Sequence, residues 1–165
     1  KELLSAFVRL NDKYPNTRLI IVGDEEPLLD PLTKPIRTML RDNNSVIRVG
    51  FQEDVRPFLA LCDCFTFPSY REGFPNVVLQ ACSMGLPSIV SDINGCNEII
   101  DNEINGLIVN PKSDDMLYMA MKRVFLDSSL LNRLSSSARG MVVDKYNRDN
   151  FHSMLLSEYR SVINE

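Results

Sequence analysis

The sequence is poor in the residues that most nucleophilic and metal-dependent enzymes use. It holds one histidine, His152, so a Ser-His-Asp or Cys-His site has little to draw on. Its four cysteines, Cys62, Cys64, Cys82 and Cys96, form no CxxC pair and lie far in sequence from His152. That argues against a zinc ribbon and for buried free thiols, the habit of a reducing cytoplasm. Cys62 and Cys64, two apart at the mouth of an apolar run, are expected on one face of a strand. Neither GxGxxG nor GKS/GKT occurs, which removes the dinucleotide fingerprint and the Walker loop. With 18 basic and 22 acidic residues the net charge is -4, so nothing favours nucleic acid or an anionic membrane surface. No apolar run reaches the roughly 20 residues of a membrane span. The opening KELLSAFVRL reads as an amphipathic helix rather than a signal peptide, and without any lead-in it reads as a piece of something longer.

What is present is a regular alternation. Helical spacing covers 2–14 and stops before Pro15. TRLIIVG (17–23) is strand-like, and a proline-rich stretch (25–35) leads into a helix over 36–42. SVIRVGF (45–51) is a second strand and 54–61 a short helix that Glu53 or Asp54 would cap. DCFTFPS (63–69) is a third strand, followed by a helix over 76–84, the strand PSIVSD (87–92), a helical turn at 98–100 and a last strand, GLIVN. Helices then fill 114–126, 130–145 and 148–163, the last capped by Asn147 or Asp149. Five short apolar strands separated by helices predict an α/β, Rossmann-like parallel sheet flanked by helices. Ligands of such sheets bind at the carboxyl ends of the strands. Those ends are here 23–24, 50–52, 68–74, 92–97 and 110–111.

One of these ends, SYREGFPNVVLQ (69–80), combines unusual choices. Gly73 permits a sharp turn and a close ligand, and Pro75 suits the first turn of a helix. The N–H groups of Phe74, Asn76 and Val77 are then expected to point outward at the positive end of a helix dipole, where an anion is stabilised. Ordinary capping explains the same spacing. Glu72 either complements the dipole or accepts from sugar hydroxyls, and Gln80, in an otherwise apolar helix, is either exposed or specifically bonded. Spacing alone leaves these pairs of readings open.

The run REGFPNVVLQACSMGLPSIVSDINGCNEIIDNEINGLIVNP (71–111) resembles the signature of the family-four retaining glycosyltransferases, the glycosyl transferases group 1. RLIIVGD, IRVGFQEDV and CFTFPSYREG extend the similarity over nearly the whole chain. The resemblance implies the C-terminal, donor-binding half of a GT-B enzyme, whose two Rossmann-like domains face each other across a cleft. Such enzymes transfer a sugar from a nucleotide donor with retention and usually without a metal, so no cofactor is implied. It assigns Glu72, the first acid of the family's E-x7-E pattern, to the donor sugar as the catalytic carboxylate. It assigns Gly73, Phe74, Pro75, Asn76 and Val77 to the diphosphate and sugar, and Gly50, Phe51 and Gln52 to the base. Gln80 stands where the family has the ribose-binding second acid. An amide accepts from one ribose hydroxyl and donates to the other, a weaker arrangement than a carboxylate accepting from both.

Other departures are Asn94 in place of the first glycine of D-x-G-G, tolerable if a left-handed backbone is needed there, and the missing proline before Glu98. Glu98 is expected to brace its loop, and Asn105-Gly106 to be a turn. Family members begin this domain with a strand and a basic pair that this chain does not include, so a gap in the sheet, a rearranged pairing or a partner chain is expected. By resemblance, the full enzyme takes a UDP- or GDP-sugar and a glycan or lipid-linked acceptor, in cell-surface polysaccharide synthesis at the cytoplasmic side of a membrane. This piece alone is expected to bind nucleotide weakly and to turn nothing over, with self-association as a further expectation. A non-catalytic nucleotide-sugar or interaction domain, and a GT-B epimerase, are the alternatives.

Overall fold

A computed structural model describes residues 1–25 and 32–163. Most of the proline-rich stretch expected at 25–35 therefore lies outside the described residues. The first helix, α1 (Glu2–Lys13), buries Leu4, Ala6, Phe7 and Leu10 at helical spacing. It ends at Tyr14, whose N–H bonds Leu10 O at 2.8 Å, because the residue before Pro15 is pushed out of the helical region.

β1 (Leu19–Ile21), α2 (Lys34–Asp42), β2 (Val46–Arg48), α3 (Arg56–Ala60), β3 (Phe65–Phe67), α4 (Asn76–Ser83), β4 (Ser88–Ser91), α5 (Cys96–Ile99) and β5 (Gly106–Val109) follow. Three helices close the chain: α6 (Asp114–Leu126), α7 (Ser128–Lys145) and α8 (Arg148–Ile163). Each element falls within or beside the segment its pattern predicts. Strands are shorter than the apolar runs because regular pairing survives only where a parallel neighbour is in register.

The expected five-stranded sheet is realised as two. β1 and β2 pair in parallel, Leu19 opposite Val46, while β3, β4 and β5 form a separate parallel sheet in that order. Among the described residues no ladder joins the two. α1 spans them instead: its Leu4 and Phe7 pack with Ile36, Leu40 and Val46, and its Ala6 and Leu10 pack with Ile89, Leu107 and Val109. The central strand β4 is buried at all four positions, as a strand covered on both faces should be.

Side-chain bonds precede several helices, although the N-cap of α3 is Val55, without a side-chain cap, and not the expected Glu53 or Asp54. Asp54 Oδ1 accepts the Arg56 N–H at 3.0 Å ahead of α3, and Asn147 Oδ1 accepts the Asp149 N–H at 2.8 Å ahead of α8. Asp127 Oδ1 accepts the Leu130 N–H at 2.8 Å and so caps α7. All four cysteines are free. Cys62 and Cys64 do not share a face: Cys62 precedes β3 and packs with Leu59, Ala81 and Leu86, whereas Cys64 packs with the cluster around Ile89. The strand begins only at Phe65, so two-residue alternation does not reach back to Cys62. α8 buries none of its described residues and so does not cover the sheet. No helix of the described chain is long and apolar enough to cross a membrane.

Candidate functional site

The mouth of α4 is open. Pro75 stands at its N-cap position in extended conformation and supplies no side-chain cap. The Val78 N–H is taken by Pro75 O at 3.0 Å. Those of Asn76 and Val77 have no hydrogen-bond partner among the described residues, and both side chains are exposed. Nothing lies within 4 Å of where a side chain at Gly73 would begin. A ligand can thus approach the backbone there, next to unpaired donors and the positive end of the helix.

Glu72 sits at the edge of this mouth, half-buried, and its Oε1 accepts from Ser69 Oγ at 2.7 Å. Ser69 therefore orients the carboxylate, a role the sequence reading missed. Its only signal was a hydroxyl three residues ahead of the acid. The Cys96 thiol senses the same carboxylate: burial first, and then the charge of Glu72, push it up to about 11. Phe74 does not line the mouth as a free side chain. Its ring meets Tyr146 edge-on at 5.5 Å, and the Tyr146 hydroxyl donates to Glu98 O at 2.8 Å. The C-terminal end of α7 therefore supports the loop from behind.

The second wall is the loop from Asp92 to Glu98. Gly95 holds φ +80, and a side chain there would begin 2.3 Å from Gly73 O. This is a close approach that only glycine allows. Glu98 braces the loop as expected, its Oε1 accepting from the Gly95 N–H at 3.2 Å. The Asn94 expectation needs correction. Among the described residues only Glu103 and Lys112 are non-glycine residues with positive φ, so Asn94 carries no left-handed backbone. Gly95 takes the turn, and the exchange of glycine for asparagine costs no strain. Asn105 likewise does more than turn the chain. Fully buried, it donates to Ile99 O at 2.9 Å and accepts from the Asp101 N–H at 2.8 Å.

Gln80 lies about one turn along α4, exposed, and its side chain has no partner among the described residues. Gly50, Phe51 and Gln52 stand at the carboxyl end of β2, on the other sheet. Gly50 has φ +67, and its carbonyl accepts the Gly23 N–H at 2.8 Å. Phe51 is 71% exposed, and Gln52 Nε2 is turned back onto Val49 O at 2.8 Å. These three share the carboxyl-end rim with Glu72 and Gly73, but no hydrogen bond links the two groups. Two cavities, of about 570 and 300 Å³, lie elsewhere: one between β5 and α6, the other beside Cys62, Met84 and Ser135. The α4 mouth is an open shelf. Among the described residues no group of three His, Cys, Asp or Glu side chains could hold a metal ion.

Parallel strands under helices, with an uncapped helix mouth and an oriented carboxylate on the carboxyl-end rim, define an α/β domain of the GT-B kind. The model of the family described as "Glycosyl transferases group 1" matches residues 1–127, and the chain belongs to that family. It is 34% identical over 137 residues to an Escherichia coli UDP-Gal:alpha-D-GlcNAc-diphosphoundecaprenol alpha-1,3-galactosyltransferase, covering 83% of this chain and 35% of the relative. The chain thus spans about a third of the length of that curated relative. Among solved structures, the Anabaena protein HepE in complex with UDP-glucose superposes with TM-score 0.85 at 21% identity, over 97% of this chain and 44% of HepE. The C-terminal domain of the group 1 glycosyltransferase LpcC from Francisella tularensis gives TM-score 0.80 at 23% identity, over 89% of this chain and 78% of that one. The fold is that of such a C-terminal domain.

Proposed function

We propose that this chain is the donor-binding part of a retaining glycosyltransferase that takes a nucleoside-diphosphate sugar. The observation that carries the proposal is the α4 mouth, where the N–H groups of Asn76 and Val77 stand unpaired beside Gly73 and the Ser69-oriented Glu72. Departure of the nucleotide builds negative charge on the diphosphate. Preorganised helix amides stabilise that charge without reorganising. Glu72 accepts from hydroxyls of the transferred sugar and keeps it in one pose above the phosphates. Gln80 contacts the ribose, and the backbone of Gly50–Gln52 the base. The acceptor is a glycan or a lipid-linked saccharide, in keeping with the diphosphoundecaprenol acceptor in the name of the Escherichia coli relative. Cell-surface polysaccharide assembly on the cytoplasmic side of the membrane is the setting this implies.

Calorimetry on the full-length protein with UDP, GDP and ADP tests the binding, and glycosyl transfer by its Glu72→Ala variant tests the chemistry. Saturable binding of one nucleotide, with transfer lost in the variant, is the expected result. Binding of none removes the proposal. A second reading, a nucleotide-sugar-binding domain without catalysis, is favoured by the amide at Gln80. Transfer by the full-length protein, lost in its Glu72→Ala variant, excludes it.

A further inference from the structure

The loop that presents Glu72 is tethered at a second point. Two residues ahead of the acid, the Tyr70 hydroxyl donates to the Glu2 carboxylate in the first turn of α1. The Lys112 ammonium lies 5.5 Å from the centroid of the same ring, on the turn that leaves β5. Lys112 holds φ +61, a conformation that non-glycine residues seldom adopt. Glu2 is well covered, its side chain 16% exposed. Burial pushes its carboxyl up, yet the hydrogen bond from the Tyr70 hydroxyl and the smaller effects beside it outweigh this and leave it below its ordinary value. The tyrosine thus joins three separate pieces of chain: the start of α1, the exit of β5 and the loop bearing Glu72.

We infer that Tyr70 is a positioning residue for Glu72, holding the 69–74 loop by its bond to Glu2 so that the carboxylate addresses the sugar part of the donor. The inference rests on the donor-binding reading above. It separates two contributions to that reading: the α4 amides hold the diphosphate whether or not the loop is tethered, whereas Glu72 needs the tether to meet the sugar. Loss of the tether should therefore reduce the preference for a nucleotide sugar over the bare nucleotide and leave affinity for the nucleotide unchanged. A residue that merely supported the fold would weaken both together.

The experiment compares binding of UDP with that of UDP-galactose and UDP-glucose by the full chain, in the parent, Tyr70→Phe, Glu2→Leu, Glu2→Gln and the double variant Tyr70→Phe/Glu2→Leu. Tyr70→Phe keeps the ring against Lys112 and removes only the hydroxyl. The expected result is a sugar preference reduced about tenfold to a hundredfold in Tyr70→Phe and in Glu2→Leu, the scale of one hydrogen bond to a charged group. UDP affinity stays within twofold, and Glu2→Gln, which retains an acceptor oxygen, keeps most of the preference. The double variant should lose no more than either single one, as expected for two partners in one bond. Hydrogen exchange at 69–74 should rise in the same variants while β4 stays protected. Parent-like sugar preference in Tyr70→Phe, or additive losses in the double variant, overturns the inference alone. A parent chain that binds neither UDP nor the UDP-sugars overturns the donor-binding reading and the inference with it.

Discussion

Gly95 and Gly73 are in backbone contact: a β-carbon on Gly95 would stand 2.3 Å from the Gly73 carbonyl oxygen and 3.0 Å from Pro75 Cδ. The two loops that wall the α4 mouth are thereby keyed to each other through two residues without side chains. The carbonyl is backbone and cannot swing aside, so any larger residue at Gly95 must move one loop.

Gly95→Ala should therefore open the site before it unfolds the protein. The φ of +80 adds strain to the overlap, and the expected loss of stability is about 1–3 kcal/mol. Urea titration measures that loss, and calorimetry with UDP should show nucleotide binding lost in a chain that remains folded. Full nucleotide affinity in the variant would mean that the contact does not shape the site.

Asn105 offers a test of stability apart from binding. Its amide closes the turn between α5 and β5 by satisfying Asp101 N–H and Ile99 O in a site with no exposure. Asn105→Leu matches the volume approximately and leaves both backbone groups unpaired, at an expected cost of about 2–3 kcal/mol. Asn105→Asp keeps the acceptor but loses the donor and buries a charge, so it should be no better. Chemical denaturation of the three proteins decides the order.

Gln80→Glu should raise nucleotide affinity about fivefold to tenfold, because a charged acceptor replaces a neutral one against the ribose hydroxyls. Gln80 is exposed and unbonded among the described residues, so the melting temperature should not change. An affinity equal to that of the parent would remove Gln80 from the ribose.

The thiols give the chain an alkaline limit. Burial is the main cause of the rise at all four, carrying Cys64 up to about 12 and, with the charge of Glu72, Cys96 up to about 11. Their folded values exceed their unfolded ones, so the unfolded chain releases protons first as pH rises. Stability is fully present below about pH 8.5, the unperturbed thiol value, and declines from there toward pH 11. Urea midpoints at pH 8 and pH 10 should show the fall, and Cys96→Ala should lessen its steepness.

Most of this architecture was legible in the chain itself. Tyr14 before Pro15, Asp54 before Arg56 and Asn147 before Asp149 place helix ends through local geometry, and local geometry is what sequence patterns encode. Glu72 and the open amides of Asn76 and Val77 follow from one contiguous stretch in the same way. The misses are contacts between remote segments. Nothing near Gly95 announces Gly73 as its neighbour. Tyr70 is 68 residues from Glu2, and the support of Phe74 by Tyr146 joins the start of one helix to the end of another. Asn105 was read as a turn because its partners, though close in sequence, are backbone atoms in a buried site. The division of the strands into two sheets, by contrast, is the gap that the resemblance led one to expect.

That division makes α1 the register between the two parts of the rim. The loop proposed to hold the base rides on β2 and the α4 mouth proposed to hold the phosphates on β3 and β4, and the described chain shares hydrophobic packing across them through Leu4 and Phe7 on one side of the helix and Ala6 and Leu10 on the other. A nucleotide long enough to touch both ends would read the spacing set by those four side chains as a ruler. Enlarging Ala6 would recalibrate that ruler without altering one atom that touches the ligand.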